Sequence, residues 1–281
     1  MKKINKDMVI DSIPIRDKET YKNKMGRVLC VGGNQEKGGA IIMSGLAALY
    51  SGAGLVTVAS DSVNLPAIHM HAPEIMFVDM FENERLIHEI KDKDVIVIGP
   101  GLGQATGSIK VLETVLEYAS SKQVLILDAD AITLIAEDKV KSDTKAYCIY
   151  TPHIGEWERL SGLSKADITI EDNQRVQKEL NATVILKGAP TRVYINGEVW
   201  ENPTGNPSQA TGGMGDTLTG ILAGFIGQIT NTKAGVLSAV YIHSYIADLL
   251  AKTHYVTLPT QIIKELPIVM RTFAEAKNTQ D

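Results

Sequence analysis

The stretch NPTGNPSQATGGMGDTLTGILAGFIG at 202–227 holds the densest chemical signal in the chain. A glycine-rich loop runs straight into an apolar segment with helical character that begins near Gly213. The N–H groups of Gly213, Met214 and Gly215 therefore lack intrahelical acceptors. With the positive end of the helix dipole they form an anion hole that needs no basic side chain. The loop is not a Walker A sequence, because no Gly-Lys-Ser/Thr closes it. Asp216 stands in the first turn, where a carboxylate would repel a bound phosphate unless it had a task. As a general base it would take the proton of an attacking hydroxyl in a phosphoryl transfer. The plainer alternative is an acid that merely complements the dipole.

Other loops offer partners for such a centre. Gly38-Gly39-Ala40 opens a helix after the first apolar strand and presents small residues and free N–H groups, either to a ligand or to tight helix packing. It is not Gly-X-Gly-X-X-Gly, which disfavours a Rossmann dehydrogenase. Gly99-Pro100-Gly101-Leu102-Gly103 follows a wholly apolar strand and gives a second backbone wall, or a plain turn. His153 closes the next candidate loop, with Glu156 three positions on. A neutral imidazole there hydrogen-bonds a substrate or caps a helix, and Glu156 orders a metal through water or serves as a first-turn acid. Lys187 ends an apolar strand, where a buried ammonium needs a polar partner such as a nucleotide. In LDADAI, Asp130 reads as a helix N-cap and Asp128 is left open. His243 lies on an apolar helix face as a satisfied core histidine. Cys30 and Cys148 read as buried, reduced thiols, and no Cys/His cluster has zinc spacing.

The elements that must position these residues alternate. Near-continuous apolar runs at 27–33, 55–60, 74–79, 94–100, 123–130, 145–153 and 182–188 suit strands covered on both faces, as in a mostly parallel sheet. TRVYI and EVWEN, joined by Asn196-Gly197, read as a hairpin that adds a small antiparallel piece at one edge. Helices are expected at roughly 39–51, 105–119, 171–180, 215–229 and 234–251. The result is an α/β chain, a three-layer α/β/α sandwich, read as one domain over 1–281, with the chemical loops converging at the carboxyl ends of the strands.

Composition narrows the partners. With 281 residues, 44% of them hydrophobic, the chain can fill a core. A net charge of −5 without a dense basic stretch argues against nucleic acid. The start is charged but lacks an apolar signal core, and no run is long enough for a bilayer, so a cytoplasmic protein without membrane contact is expected.

Read in order, GRVLCVGGNQEKGGAIIMSGLAALYSGAGLVTVAS at 26–60, GPGLG at 99–103, LDADAI at 127–132, TPHIGEWERL at 151–160, ILKGAPT at 185–191 and NPSQATGGMGDTLTG at 206–220 form a specific series. The chain resembles the NAD(P)H-hydrate dehydratase family of the ribokinase-like superfamily over most of its length. The resemblance implies that Ala40, Gly103, His153 and Asp216 contact the hydrated dinucleotide. It also implies that Lys187, Gly188, Ala189, Pro190, Thr191 and Gly215 hold the adenine nucleotide. His153 stands where kinases of the superfamily usually carry Asn, which favours dehydratase over kinase. ADP as phosphoryl donor (ATP being the alternative), Mg2+ as cofactor and a homotetrameric assembly are further implications. The expected reaction phosphorylates the ring hydroxyl of hydrated NADH or NADPH (NADHX or NADPHX, S epimer) and then eliminates phosphate. Two rivals stand beside it: a small-alcohol kinase, marked by a stable phosphorylated product, and a non-catalytic nucleotide sensor, in which Asp216 would be dispensable.

Overall fold

The computed structural model describes residues 1–164 and 168–277. In chain order the strands and α-helices are β1 (Lys2–Lys3), α1 (Lys6–Ser12), β2 (Arg27–Val31), α2 (Gly38–Tyr50), β3 (Leu55–Ser60), α3 (Leu65–His71), β4 (Met76–Asp79) and α4 (Asn83–Lys91). Next come β5 (Val95–Ile98), α5 (Thr106–Tyr118), β6 (Val124–Leu127), α6 (Ala129–Ala136), β7 (Tyr147–Tyr150), α7 (Ile154–Ser161) and α8 (Ile170–Glu179). The remainder is β8 (Thr183–Leu186), β9 (Arg192–Ile195), β10 (Glu198–Glu201), α9 (Met214–Gln228), α10 (Thr232–Leu250) and α11 (Pro259–Lys277).

Among the described residues the strands form one ten-stranded sheet in the order β1-β10-β9-β8-β7-β6-β5-β2-β3-β4. From β4 across to β8 every pairing is parallel, and β9 pairs antiparallel with both β8 and β10. The expected hairpin is present, but it is not the outermost piece. Two residues near the N-terminus, Lys2 and Lys3, add β1 outside it, parallel to β10. A two-residue strand carries too little side-chain pattern to be read from sequence.

Alternate residues of each strand face opposite layers. Val28, Val95, Val97 and Ile126 join a core with residues of α1, α2, α3, α9, α10 and α11. Their neighbours Leu29, Ile96, Ile98 and Leu125 join a second core with α4, α5 and α6. Trp157 of α7 and Val176 of α8 cover Val184, Leu186 and Tyr194 further along that second side. Double-sided burial is why these strands are apolar throughout.

From β2 the chain proceeds outward to β3 and β4, then returns to place β5 on the other flank of β2. Between β2 and β5 lies a topological switch point, where loops diverge and open a crevice at the strands' carboxyl ends. The loops that leave these two strands are Gly32 onwards and Gly99–Gly103, two of the segments singled out from the sequence.

Candidate active site

The mouth of the site is the N-terminus of α9. Gly213 caps it with φ +93°, a conformation that disfavours a side chain, and a Cβ there would lie 2.6 Å from the Met43 side chain. Two hydroxyls fix the next turn: Ser44 Oγ of α2 donates to the Asp216 carbonyl at 2.8 Å and Thr219 Oγ1 donates to it at 2.7 Å. The two helices meet closely because Gly220 and Gly224 face α2, and a Cβ on Gly220 would sit 2.1 Å from the Ser44 carbonyl oxygen.

Lys187, just beyond β8, points at this helix start. Its ammonium lies 2.8 Å from Asp128 Oδ1 and 4.0 Å from Glu156 Oε2. A Cβ on Gly215 would be 3.1 Å from Lys187 Nζ and 3.6 Å from Asp128 Oδ2. Asp128 is buried and also accepts a hydrogen bond from Thr151 Oγ1 at 2.8 Å. Burial works against the Lys187 charge, yet Asp128, Glu156 and Asp216 outweigh it and raise the ammonium's pKa. Burial pushes the Asp216 carboxyl up to about 6; Asp128 and Asp130 add to the rise, and Lys187 and Lys37 oppose it. A carboxyl so poised is a competent proton acceptor near neutral pH.

His153 both caps α7 and closes a capping box with Glu156. Its Nδ1 accepts from the N–H groups of Gly155 (3.0 Å) and Glu156 (3.3 Å), while Glu156 Oε2 accepts the His153 N–H at 2.8 Å. The cap thus uses Nδ1 as an acceptor, while Nε2, on the other edge of an exposed ring, lies 3.6 Å from Glu156 Oε1. Capping and ligand binding, weighed as alternatives from sequence, are compatible on this one ring. A bridge between His153 and Lys187 extends the β7–β8 pairing and sets the two residues side by side.

Asp130 corrects the sequence expectation. The N-cap position of α6 is Asp128, which makes no side-chain capping bond, and Asp130 lies in the first turn. Its Oδ2 accepts the Gly103 N–H at 2.9 Å and lies 3.4 Å from Lys37 Nζ. The Gly103 N–H is therefore already engaged. Two-residue spacing in LDADAI did not distinguish a cap from a clamp between loops. Lys37 was missed as well, since a single lysine before a helix carries no pattern.

A cavity of about 700 Å³ opens on one side of the helix start, lined by Lys187, Gly188, Asn206, Met214, Gly215 and His243 among others. The segment Lys187–Thr191 forms one wall, with Ala189–Pro190 in the cis form. His243 is buried as expected but not satisfied: its Nε2 has no hydrogen-bond partner, and burial lowers its pKa to about 4, so the ring is neutral. Ala40, Gly103, His153 and Asp216 do not line this cavity. Cys30 and Cys148 are free and buried, their thiols raised to about 12 and about 11 by burial.

A switch-point crevice, a glycine-capped helix N-terminus and a carboxyl in its first turn define a ribokinase-like protein. Crystal structures agree. The chain superposes on a ribokinase-like superfamily protein from Enterococcus faecalis with TM-score 0.93 at 43% identity, covering 98% of this chain and 96% of that one. It matches an ADP/ATP-dependent NAD(P)H-hydrate dehydratase from Bacillus subtilis, co-crystallised with ATP and Mg2+, with TM-score 0.85 at 29% identity, covering 97% and 98%. The NAD(P)H-hydrate dehydratase family model matches residues 28–268. A Listeria monocytogenes relative, the ADP-dependent (S)-NAD(P)H-hydrate dehydratase, is 44% identical over 275 residues, covering 98% of each chain. This chain belongs to the NAD(P)H-hydrate dehydratase family.

Proposed function

We propose that this chain repairs hydrated nicotinamide dinucleotides by dehydrating the S epimers of hydrated NADH and NADPH with ADP as phosphoryl donor. The observation that carries the reading is Asp216: a half-buried carboxyl raised to about 6, one residue from the cavity-lining N–H end of α9. Lys187, Gly188, Ala189, Pro190, Thr191 and Gly215 hold ADP, whose terminal phosphate meets the N–H groups of Gly213, Met214 and Gly215. Ala40, Gly103, His153 and Asp216 hold the hydrated ring. Asp216 takes the proton of the ring hydroxyl as its oxygen attacks the terminal phosphorus, and AMP leaves. The ring nitrogen then donates electrons, the C–O bond breaks, phosphate departs, and loss of a ring proton restores the dihydronicotinamide. His153 donates from its ring to the substrate amide.

Mg2+ fits this arrangement. Carboxylate oxygens of Asp128 and Glu156 converge on one ammonium at the cavity edge. Among the described residues no group of three or more His, Cys, Asp or Glu side chains stands together that could hold a metal ion. Asp128 and Glu156 would hold it, directly or through water, and it would neutralise phosphate charge when bound.

The proposal extends to a cytoplasmic location and a homotetramer, the latter to be tested by sedimentation velocity. No helix among the described residues is long and apolar enough to cross a membrane. The decisive assay follows absorbance at the dihydronicotinamide band when protein and Mg2+ meet hydrated NADH with ADP or ATP. Recovery with ADP, accompanied by AMP and free phosphate, is expected. A stable phosphorylated product would instead reveal a kinase, and no reaction with either nucleotide would overturn the reading.

A further inference from the structure

The nucleotide cavity accounts for only one flank of Asp216. The other flank is built by the loops after β2, β5 and β6, and these are dovetailed. Asn34 N–H donates to the Gly101 carbonyl at 2.7 Å, Gly33 N–H donates to the Pro100 carbonyl at 2.9 Å, and Asp130 ties Gly103 to the same cluster. Lys37 is rooted in this wall. Its N–H meets Asn34 Oδ1 at 2.9 Å, and its carbonyl packs so closely on Gly101 that a Cβ there would be 2.5 Å away.

The far end of Lys37 is not fixed in the same way. Its side chain is 55% exposed, and its ammonium stands 3.4 Å from an Asp130 oxygen already committed to the Gly103 N–H. Lys37 also sits near enough to act on the charge of Asp216. Four carboxylates, Asp128, Asp130, Glu156 and Asp216, thus surround the reaction centre against two ammonium groups, Lys187 and Lys37. Lys187 is engaged on the nucleotide flank. An anionic second substrate entering the opposite flank meets net negative charge, relieved there by Lys37.

We propose that Lys37 receives a phosphate group of the hydrated dinucleotide, exchanging its loose contact with Asp130 for a charge-assisted one. This rests on the dehydratase reading and deepens it by naming the group that selects an anionic acceptor over a neutral alcohol. Asp130 keeps its bond to Gly103 when Lys37 leaves, so the wall retains its shape.

Steady-state kinetics with Lys37→Met and Lys37→Arg, using hydrated NADH and hydrated NADPH in parallel, test the assignment. In Lys37→Met the dinucleotide KM rises about fivefold, the size of a partly exposed charge contact, while the ADP KM moves less than twofold. Lys37→Arg restores most of the loss. A rise with both dinucleotides places Lys37 on the bridging diphosphate, and a rise with hydrated NADPH alone places it on the ribose 2′-phosphate. Unchanged dinucleotide KM, or an ADP KM that rises in step, overturns the proposal. Should the wild-type protein fail to turn over either hydrate, the dehydratase reading falls separately. Fluorescence titration with NADH and NADPH then decides: weaker binding by Lys37→Met sustains the assignment, and equal or absent binding ends it.

Discussion

Burial and the neighbouring Asp128 push the Asp216 carboxyl up to about 6, against the opposing pull of Lys187. A general base works only when deprotonated, so kcat/KM should rise with pH and reach half its plateau near pH 6. Asp216→Asn should lower kcat by roughly 10² to 10⁴. A variant that keeps wild-type turnover would remove Asp216 from the chemistry. Stability moves the other way. The folded-state pKa lies above the unfolded value of about 3.9, so the native state binds more protons between pH 4 and 6, and stability falls as pH rises through that window. At pH 7.5 the ionised group costs on the order of 3 kcal/mol, which Asp216→Asn should recover, with most of the gain gone near pH 4. Urea denaturation at the two pH values measures this directly. Asp216 and Lys187 stand out in the sequence because each breaks a local rule: an acid in the first turn after a glycine-rich loop and a lysine ending an apolar strand. Asp130 and Lys37 break none. Their roles come from contact between loops whose neighbours only the fold supplies.

The α2–α9 pair gives the end of the glycine-rich loop a fixed geometry. Ser44 reaches the Asp216 carbonyl because Gly220 lets the helices close, and its Cβ would collide with backbone, which cannot swing aside as a side chain end can. Gly220→Ala should therefore destabilise the protein by about 1–3 kcal/mol, despite alanine's better helix propensity, and lower kcat as Asp216 shifts. A change within about 0.5 kcal/mol, or a stabilisation, would show that the helices part without penalty. The glycine-rich loop announced α9 from sequence, but the glycines within the helix were read only as part of an apolar run. Short helices were harder still. The seven residues of α1 and of α3 span too little chain to display a 3.6-residue period. The much longer α11 contains Pro267, which reads locally as a break and is tolerated here.

At the scale of the molecule, the parallel sheet was legible because strands buried on both faces are apolar at every position, a pattern that needs no knowledge of partners. Strand order was not legible, since the placement of β5 beside β2 rather than β4 depends on contacts far apart in the chain. That order is what divides the site. One flank of the α9 N-terminus opens on the cavity beside Lys187, and the other faces the interlocked loops after β2 and β5. If ADP and the hydrated dinucleotide take opposite flanks, the two bind together, and Asp216→Asn, being blocked in turnover, allows both to be present at equilibrium. Each ligand at a hundredfold excess over its Kd should then stabilise the protein by about 2.7 kcal/mol, and the two contributions should add. Denaturation of Asp216→Asn with neither, either and both ligands measures the four states. If the second ligand adds nothing once the first is saturating, the two compete for a single pocket, and the division of the site by strand order cannot stand.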